Sequence, residues 1–271
     1  MKKKIGLSIF SLLLLSACTG GSSLSAEEIL QKSSETMEEL ASYQITSSAE
    51  QQMTSAEEED VYVTTETIMH LTQQPLTFKE EASIQMTGGV DSLSYTSYFH
   101  EEEGLFIEDP MLGGWVQLPE EHLEEILAMT NSQLHPEEQL QLFQEYVSDV
   151  ELETTEEDYI IHLQGETLEL QEIMEHLGGA AMENFDEMME MLEEVEINSF
   201  DFTAHIDKES YYQKEASIIL SLTFTENGET MDMEQTTEMS LNNFNEIEEI
   251  TIPEDVLNNA EKLDEGMVGT E

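Results

Sequence analysis

One cysteine, seven histidines, sixteen methionines and 61 acidic residues are the groups in this 271-residue chain that could do chemistry. Cys18 is the only thiol, and a thiolate is the strongest nucleophile the chain offers for covalent modification. His70, His100, His122, His135, His162, His176 and His205 are scattered. No H-E-x-x-H or H-x-H spacing and no Cys partner accompanies them, so no zinc site is spelled out. G-x-S-x-G, the P-loop and a strand followed by G-x-G-x-x-G are all missing. Carboxylates are so frequent that no pair stands out as an acid–base couple across a cleft. Met188, Met189 and Met191 could offer soft thioether ligands to copper(I), but neither His nor Cys lies near them in sequence. These patterns predict no catalytic residue, no metal and no cofactor: a non-enzyme.

The surroundings of Cys18 give the thiol a purpose. Lys2, Lys3 and Lys4 precede an apolar run over residues 5–15, and Leu15-Ser16-Ala17-Cys18 closes it. A positive start, a short apolar stretch and small residues at the cut describe a secretory signal peptide, too short to be a spanning helix. The ending Leu-Ser-Ala-Cys resembles the lipobox of bacterial lipoproteins. That resemblance implies that residues 1–17 are removed and that the Cys18 thiol carries a diacylglyceryl group. It places the protein on the outer face of the cytoplasmic membrane of a Gram-positive-type bacterium. Two acyl chains anchor stably where one holds only marginally. The alternative, a secreted protein with a stray thiol, would leave a redox liability in an oxidising compartment. Residues 18–25 then form a spacer. The seven that follow Cys18 reach roughly 25 Å at about 3.3–3.6 Å each, which keeps the domain close to the bilayer.

Charge narrows the partners. The chain carries eight lysines, no arginine and a formal net charge of −53. Loss of Lys2, Lys3 and Lys4 with the leader takes it to about −56. Nucleic acid is excluded, because nothing could neutralise its phosphates. An anionic lipid surface repels the protein body, so the lipid on Cys18 must do the holding. So many acids could bind calcium or other cations. No D-x-D-x-D-G-x5-E loop is present, and runs such as Glu57-Glu58-Glu59-Asp60 lack ligand geometry. A solvated surface adapted to a salty or alkaline exterior fits them better.

The elements that would position any site follow from periodicity. Ser25 before Ala26-Glu27-Glu28 is a helix start, and Ile29, Leu30, Met37 and Leu40 carry an amphipathic helix to about residue 41. Alternation then predicts a meander through Tyr43, Ile45 and Ala49; Val61, Val63, Met69 and Leu71; Leu76, Phe78, Ala82, Ile84 and Met86; and Leu93, Tyr95 and Phe99. Gln74-Pro75 and Gly88-Gly89 punctuate it. Short strands are expected at 105–107 and 115–118, helices from Pro119 and Pro136, and strands at 150–153 and 159–163. A further helix is expected from Leu168, bent at Gly178-Gly179 and bearing Met174, Met182, Met188, Met189 and Met191. Asn227-Gly228 between two alternating runs specifies a two-residue hairpin. Phe224 should then face Met231, Leu222 face Met233 and Ala216 face Met239, beside Phe200, Phe202, Ala204 and Ile206 of the preceding strand.

This order resembles the LolA/LppX family, closest to uncharacterised lipoproteins of Bacillus-type bacteria. Gly104-Leu105-Phe106-Ile107-Glu108-Asp109-Pro110 followed by Gly113-Gly114-Trp115-Val116 is similar to the family's strand, turn and Trp-strand. His205-Ile206-Asp207-Lys208-Glu209-Ser210 followed by a strand is similar to its late hairpin. The resemblance implies an α+β fold, a large curved antiparallel sheet or half-barrel covered on its concave side by helices, holding acyl chains between. One such domain would span residues 26–262, with a C-terminal tail at 263–271. A sheet with one apolar face, incompletely covered, leaves a greasy pocket. Strand parity assigns its lining to Phe78, Ile84, Met86, Phe200, Phe202, Leu222, Phe224, Met231 and Met233. The methionines suit an adaptable ligand surface, though as core fillers they need no ligand. Trp115 could anchor a sugar or lipid, or simply end a strand in the core. The expected role is a membrane-anchored lipoprotein that binds or carries an apolar, acyl-chain ligand. The alternative is a non-catalytic envelope scaffold with a filled core and a protein partner; an extracellular hydrolase ranks third.

Overall fold

Ser25 is extended and accepts a hydrogen bond from the Glu28 N–H at 3.2 Å, while the Glu28 carboxylate accepts from the Ser25 N–H at 2.9 Å. This reciprocal box satisfies two donors that a helix start leaves free. It opens α1 (Ala26–Glu38), whose stripe of Ile29, Leu30, Ser33, Ser34 and Met37 is buried. The helix stops short of the expected residue 41. The Leu40 N–H bonds the Met37 carbonyl at 3.1 Å, and Leu40 turns into the core.

The computed structural model describes residues 24–55, 59–87, 92–110, 113–120, 123, 127, 134–145, 150–165, 195–226 and 229–263. Cys18, residues 1–17 expected as a signal peptide, and the helix expected from Leu168 with its methionines lie outside them. After α1 come β1 (Ser42–Ser55), β2 (Val61–Gln73), β3 (Leu76–Met86), β4 (Leu93–His100), β5 (Gly104–Glu108) and β6 (Trp115–Gln117). Next are α2 (Pro136–Glu145), β7 (Val150–Thr154), β8 (Asp158–Gly165), β9 (Val195–Asp207), β10 (Gln213–Glu226) and β11 (Glu229–Asn242). The last described elements are α3 (Glu254–Asn259) and β12 (Glu261–Lys262).

All twelve described strands join one open sheet in the order β12-β6-β5-β4-β3-β2-β1-β11-β10-β9-β8-β7. Two antiparallel meanders, β1–β6 and β7–β11, meet where β1 pairs with β11, and only β12 is added in parallel, along β6. The α+β class and the large antiparallel sheet expected from periodicity are both present. The late hairpin has the expected register: Phe224 faces Met231, Leu222 faces Met233, Ala216 faces Met239, and Glu226 faces Glu229. Sequence reading missed α3 and β12. Their signal was Pro253 followed by Glu254 and Asp255, a helix start with acids in the first turn, and it buries Val256.

The core lies at one end of the strands, on one face. Ile29, Leu30 and Met37 of α1 and Leu140 of α2 join Tyr43, Leu71, Phe78, Phe99, Phe202 and Ile206 in a single buried cluster. The Phe78 and Phe99 rings stack at 5.3 Å. Polar bonds clasp the helices. Ser34 Oγ donates to the Glu137 carbonyl at 3.3 Å, and Gln141 Nε2 donates to Ser34 Oγ at 3.1 Å. The buried Tyr43 hydroxyl donates to the Leu134 carbonyl at 2.6 Å. His135 Nδ1 lies 3.0 Å from Glu137 Oε1, and that bond holds the imidazole above its ordinary pKa of 6.5, partly opposed by burial.

A folded pKa above the unfolded one means the pair stabilises the protein fully below about pH 6.5 and loses that contribution as pH rises through the folded value. His135→Asn should therefore cost roughly 0.5–1 kcal/mol more at about pH 5.5 than at about pH 8, measured by urea unfolding. An equal cost at both would show that the pair does not ionise in the fold.

Candidate ligand-binding face

Side chains along a strand alternate between faces, and directly paired residues share a face. Tyr43, Ile45, Ala49 and Met53 of β1 pair with Leu71, Met69, Thr65 and Val61 of β2. Leu71, Thr65 and Val63 pair in turn with Phe78, Ile84 and Met86 of β3. On the other side Met53 faces Met233, which faces Leu222 of β10, which faces Ile197 of β9. Ser55 faces Met231, which faces Phe224 and then Val195. Leu220 faces Phe200, and Ile218 faces Phe202. All nine residues chosen from strand parity thus lie on one face of one sheet.

That face has two halves. Phe78, Phe200 and Phe202 sit in the packed cluster under α1 and α2. Ile84, Leu222, Phe224, Met231 and Met233 are half-buried farther along, and Met86 is 52% exposed. Alternation predicts β1 through Tyr43, Ile45 and Ala49, but not its pairing with β11, which joins the two meanders. Met53, Val61 and Val63 belong to the same patch, as do Val195, Ile197 and Leu220. The β1–β11 pairing that joins them spans nearly the whole chain and leaves no local signature.

Uncharged polar side chains interrupt this face on its middle strands, at Ser47, Gln51, Thr65, Thr67, Gln235 and Thr237. Gln51 donates to the Met233 thioether and Gln235 to Thr237 Oγ1 at 3.1 Å, so these two amides are tied back. Glu80 interrupts the β3 series Phe78, Ala82, Ile84, Met86, opposite Met69 and Ser97. Ser97 Oγ donates to its carboxylate at 3.0 Å. Burial pushes the Glu80 carboxyl above the usual carboxylate range, and the Ser97 bond partly offsets this. Burial likewise raises the hydroxyl of Tyr95, two residues before Ser97, and the Glu80 charge adds to it. A charged residue at an apolar parity position is the sequence signal for Glu80, which strand parity read for apolar residues alone does not select.

The opposite face is hydroxyl- and carboxylate-rich. Two open cavities of about 530 and 500 Å³ are lined chiefly by side chains on that side. Thr46 and Ser48 are common to both, with Glu66, Glu81 and Thr96 in the first and Thr203, His205 and Glu238 in the second. His70, His100, His162 and His205 are on this face too, and His162 Nδ1 lies 3.0 Å from Thr203 Oγ1. Trp115 is half-buried there, 5.5 Å from the Tyr98 ring. Among the described residues no group of three His, Cys, Asp or Glu could hold a metal.

The chain matches the family described as a family of unknown function, DUF6612, over residues 25–261. No curated protein matches it. Among solved structures it is similar to a LolA superfamily protein from Nitrosomonas europaea, at 10% identity and a TM-score of 0.25, covering 80% of this chain and 94% of that one. It is similar to a putative outer membrane lipoprotein-sorting protein domain from Vibrio parahaemolyticus, at 11% identity and a TM-score of 0.26, covering 86% and 97%. It is also similar to lipovitellin, at 10% identity and a TM-score of 0.35, covering 78% of this chain and 26% of that one.

The two halves of the face should respond differently to truncation. Phe202→Ala in the packed end should cost about 3–5 kcal/mol. Met86→Ser at the open end should stay within about 0.5 kcal/mol. Comparable shifts in the urea midpoint would mean that the face is packed throughout.

Proposed function

We propose, for a chain that belongs to the DUF6612 family of unknown function, that the open half of the apolar face holds an acyl chain or a similarly apolar ligand. One observation carries this reading. Ile84, Met86, Leu222, Phe224, Met231 and Met233 continue a buried core outward along the same face without being packed to the same degree. Soluble proteins leave large contiguous apolar surface partly exposed mainly where something binds. Thioether side chains at 86, 231 and 233 suit a partner of variable shape.

The rest of the proposal builds on the sequence. The sheet would act as a half-barrel of the LolA/LppX kind, tethered through lipid on Cys18 to the outer face of the cytoplasmic membrane. It would carry its ligand without chemistry of its own. The packing of Phe78, Phe200 and Phe202 favours a filled core at the other end, and extending that packing along the whole face gives the scaffold reading.

Two measurements bear on this. The mature chain from residue 18, carrying Cys18→Ser so that no anchor contributes lipid, should show added acyl-lipid mass in native mass spectrometry. Bare polypeptide that takes up no fatty probe on titration would leave the scaffold reading. Cells fed a radiolabelled fatty acid should label the natural chain and not Cys18→Ala; label on both, or on neither, would remove the anchor.

A further inference from the structure

Charge is distributed very unevenly between the two faces. Register places only one charged side chain on the apolar face of β1–β11 away from the hairpin tip, where Glu226 and Glu229 face each other: Glu80. No lysine or histidine shares that face in these strands. Lys79 and Glu81, its neighbours in sequence, project to the opposite side and pair with each other at 3.2 Å. The described contacts of the Glu80 carboxylate include one donor, Ser97 Oγ at 3.0 Å, and no cation. Met69 and Phe78 beside it are buried, as are Ala82 and Ser97.

A carboxylate in apolar surroundings without a cation is costly, and such groups are retained where something pairs with them. Sites for apolar ligands commonly add a few fixed polar groups that read the ligand's polar end. We infer that Glu80, supported by Ser97 and Tyr95, receives the cationic head of a long-chain amine whose hydrocarbon lies along the apolar face. This rests on the acyl-chain reading above and names its ligand class: an alkylammonium amphiphile rather than a fatty carboxylate. A carboxylate head would meet the Glu80 charge with no lysine or histidine among the described strand residues of that face to offset it. The raised pKa of Glu80 agrees with a carboxylate buried among apolar side chains with no described counter-charge beside it.

Decylammonium and decanoate, equal in chain length, are the probes. Calorimetric titration of the mature chain carrying Cys18→Ser in about 0.5 M NaCl screens the acidic outer face, so that long-range attraction does not decide the result. A charge-assisted hydrogen bond of about 1.5–3 kcal/mol predicts roughly ten- to hundredfold tighter binding of the amine. Glu80→Gln should bring the two affinities together while both probes still bind. Glu81→Gln, on the other face, should leave the preference intact. A preference that survives Glu80→Gln would overturn the inference and leave the acyl-chain reading standing. Equal loss of both probes in Glu80→Gln, with an unchanged thermal melt, would also overturn it, since Glu80 would then shape the face rather than read the head. If neither probe binds the Cys18→Ser chain, the reading of the face falls and the inference falls with it.

Discussion

Strand alternation kept in phase through eleven neighbouring strands is the constraint on which everything else depends. A slip of one residue at any pairing would send an apolar row to solvent and a row of carboxylates to the core. The sheet defends its phase visibly. Between Ser221 and Leu222 the β9–β10 register shifts by a residue, so that Leu222 meets Ile197 and Phe224 meets Val195. Without that bulge Asn198 and Glu196 would turn inward at those positions. A second shift between Gln213 and Glu215 pairs Gln213 with Ile206, with Lys214 between the two paired positions. Lys214 Nζ forms ion pairs with Asp158 at 2.6 Å and Asp207 at 3.6 Å, which ties the corner of β8, β9 and β10.

Keeping that phase separates two chemistries that would otherwise conflict. A chain with a net charge of −53 repels itself, and it tolerates this by holding its strand acids in water. Glu66, Glu81, Glu215 and Glu238 all stand on the outer face, around open polar cavities. The inner face is left nearly neutral. Helices α1 and α2 seal one end of it, and the other end keeps apolar side chains within reach of solvent. A face that is largely apolar, nearly neutral and incompletely packed is suited to hydrocarbon, and among the described strand residues away from the hairpin tip Glu80 is its one charged group.

Much of this was legible in the sequence, for physical reasons. Period-two alternation is a local property, so the faces of β1–β4 and of the β9–β11 block could be read directly. Asn227-Gly228 left only two residues for the turn and so set every pair of the last hairpin. The capping box at Ser25 and Glu28 marked the first helix start. What could not be read were the long-range pairings. Ile45 faces Leu241 across almost two hundred residues of sequence, and no turn fixes that register. Nor could sequence divide the nine face residues into a packed and an open half, because coverage by α1 and α2 depends on tertiary docking. Glu80 was missed because it breaks the very pattern used to find the face. The short α3 and β12 were missed because a six-residue helix and a two-residue strand carry almost no periodic signal.

The most direct test is photocrosslinking with a diazirine-bearing alkyl chain, read by peptide mass spectrometry. Both faces expose large apolar side chains, so the label has a real choice: Tyr62, Ile68 and Ile219 on the polar side, Met86 and Leu93 on the apolar one. Insertion concentrated at Ile84, Met86, Leu222, Phe224, Met231 and Met233 is the result this account predicts. Insertion at Tyr62, Ile68 and Ile219, or spread evenly over both faces, would contradict it.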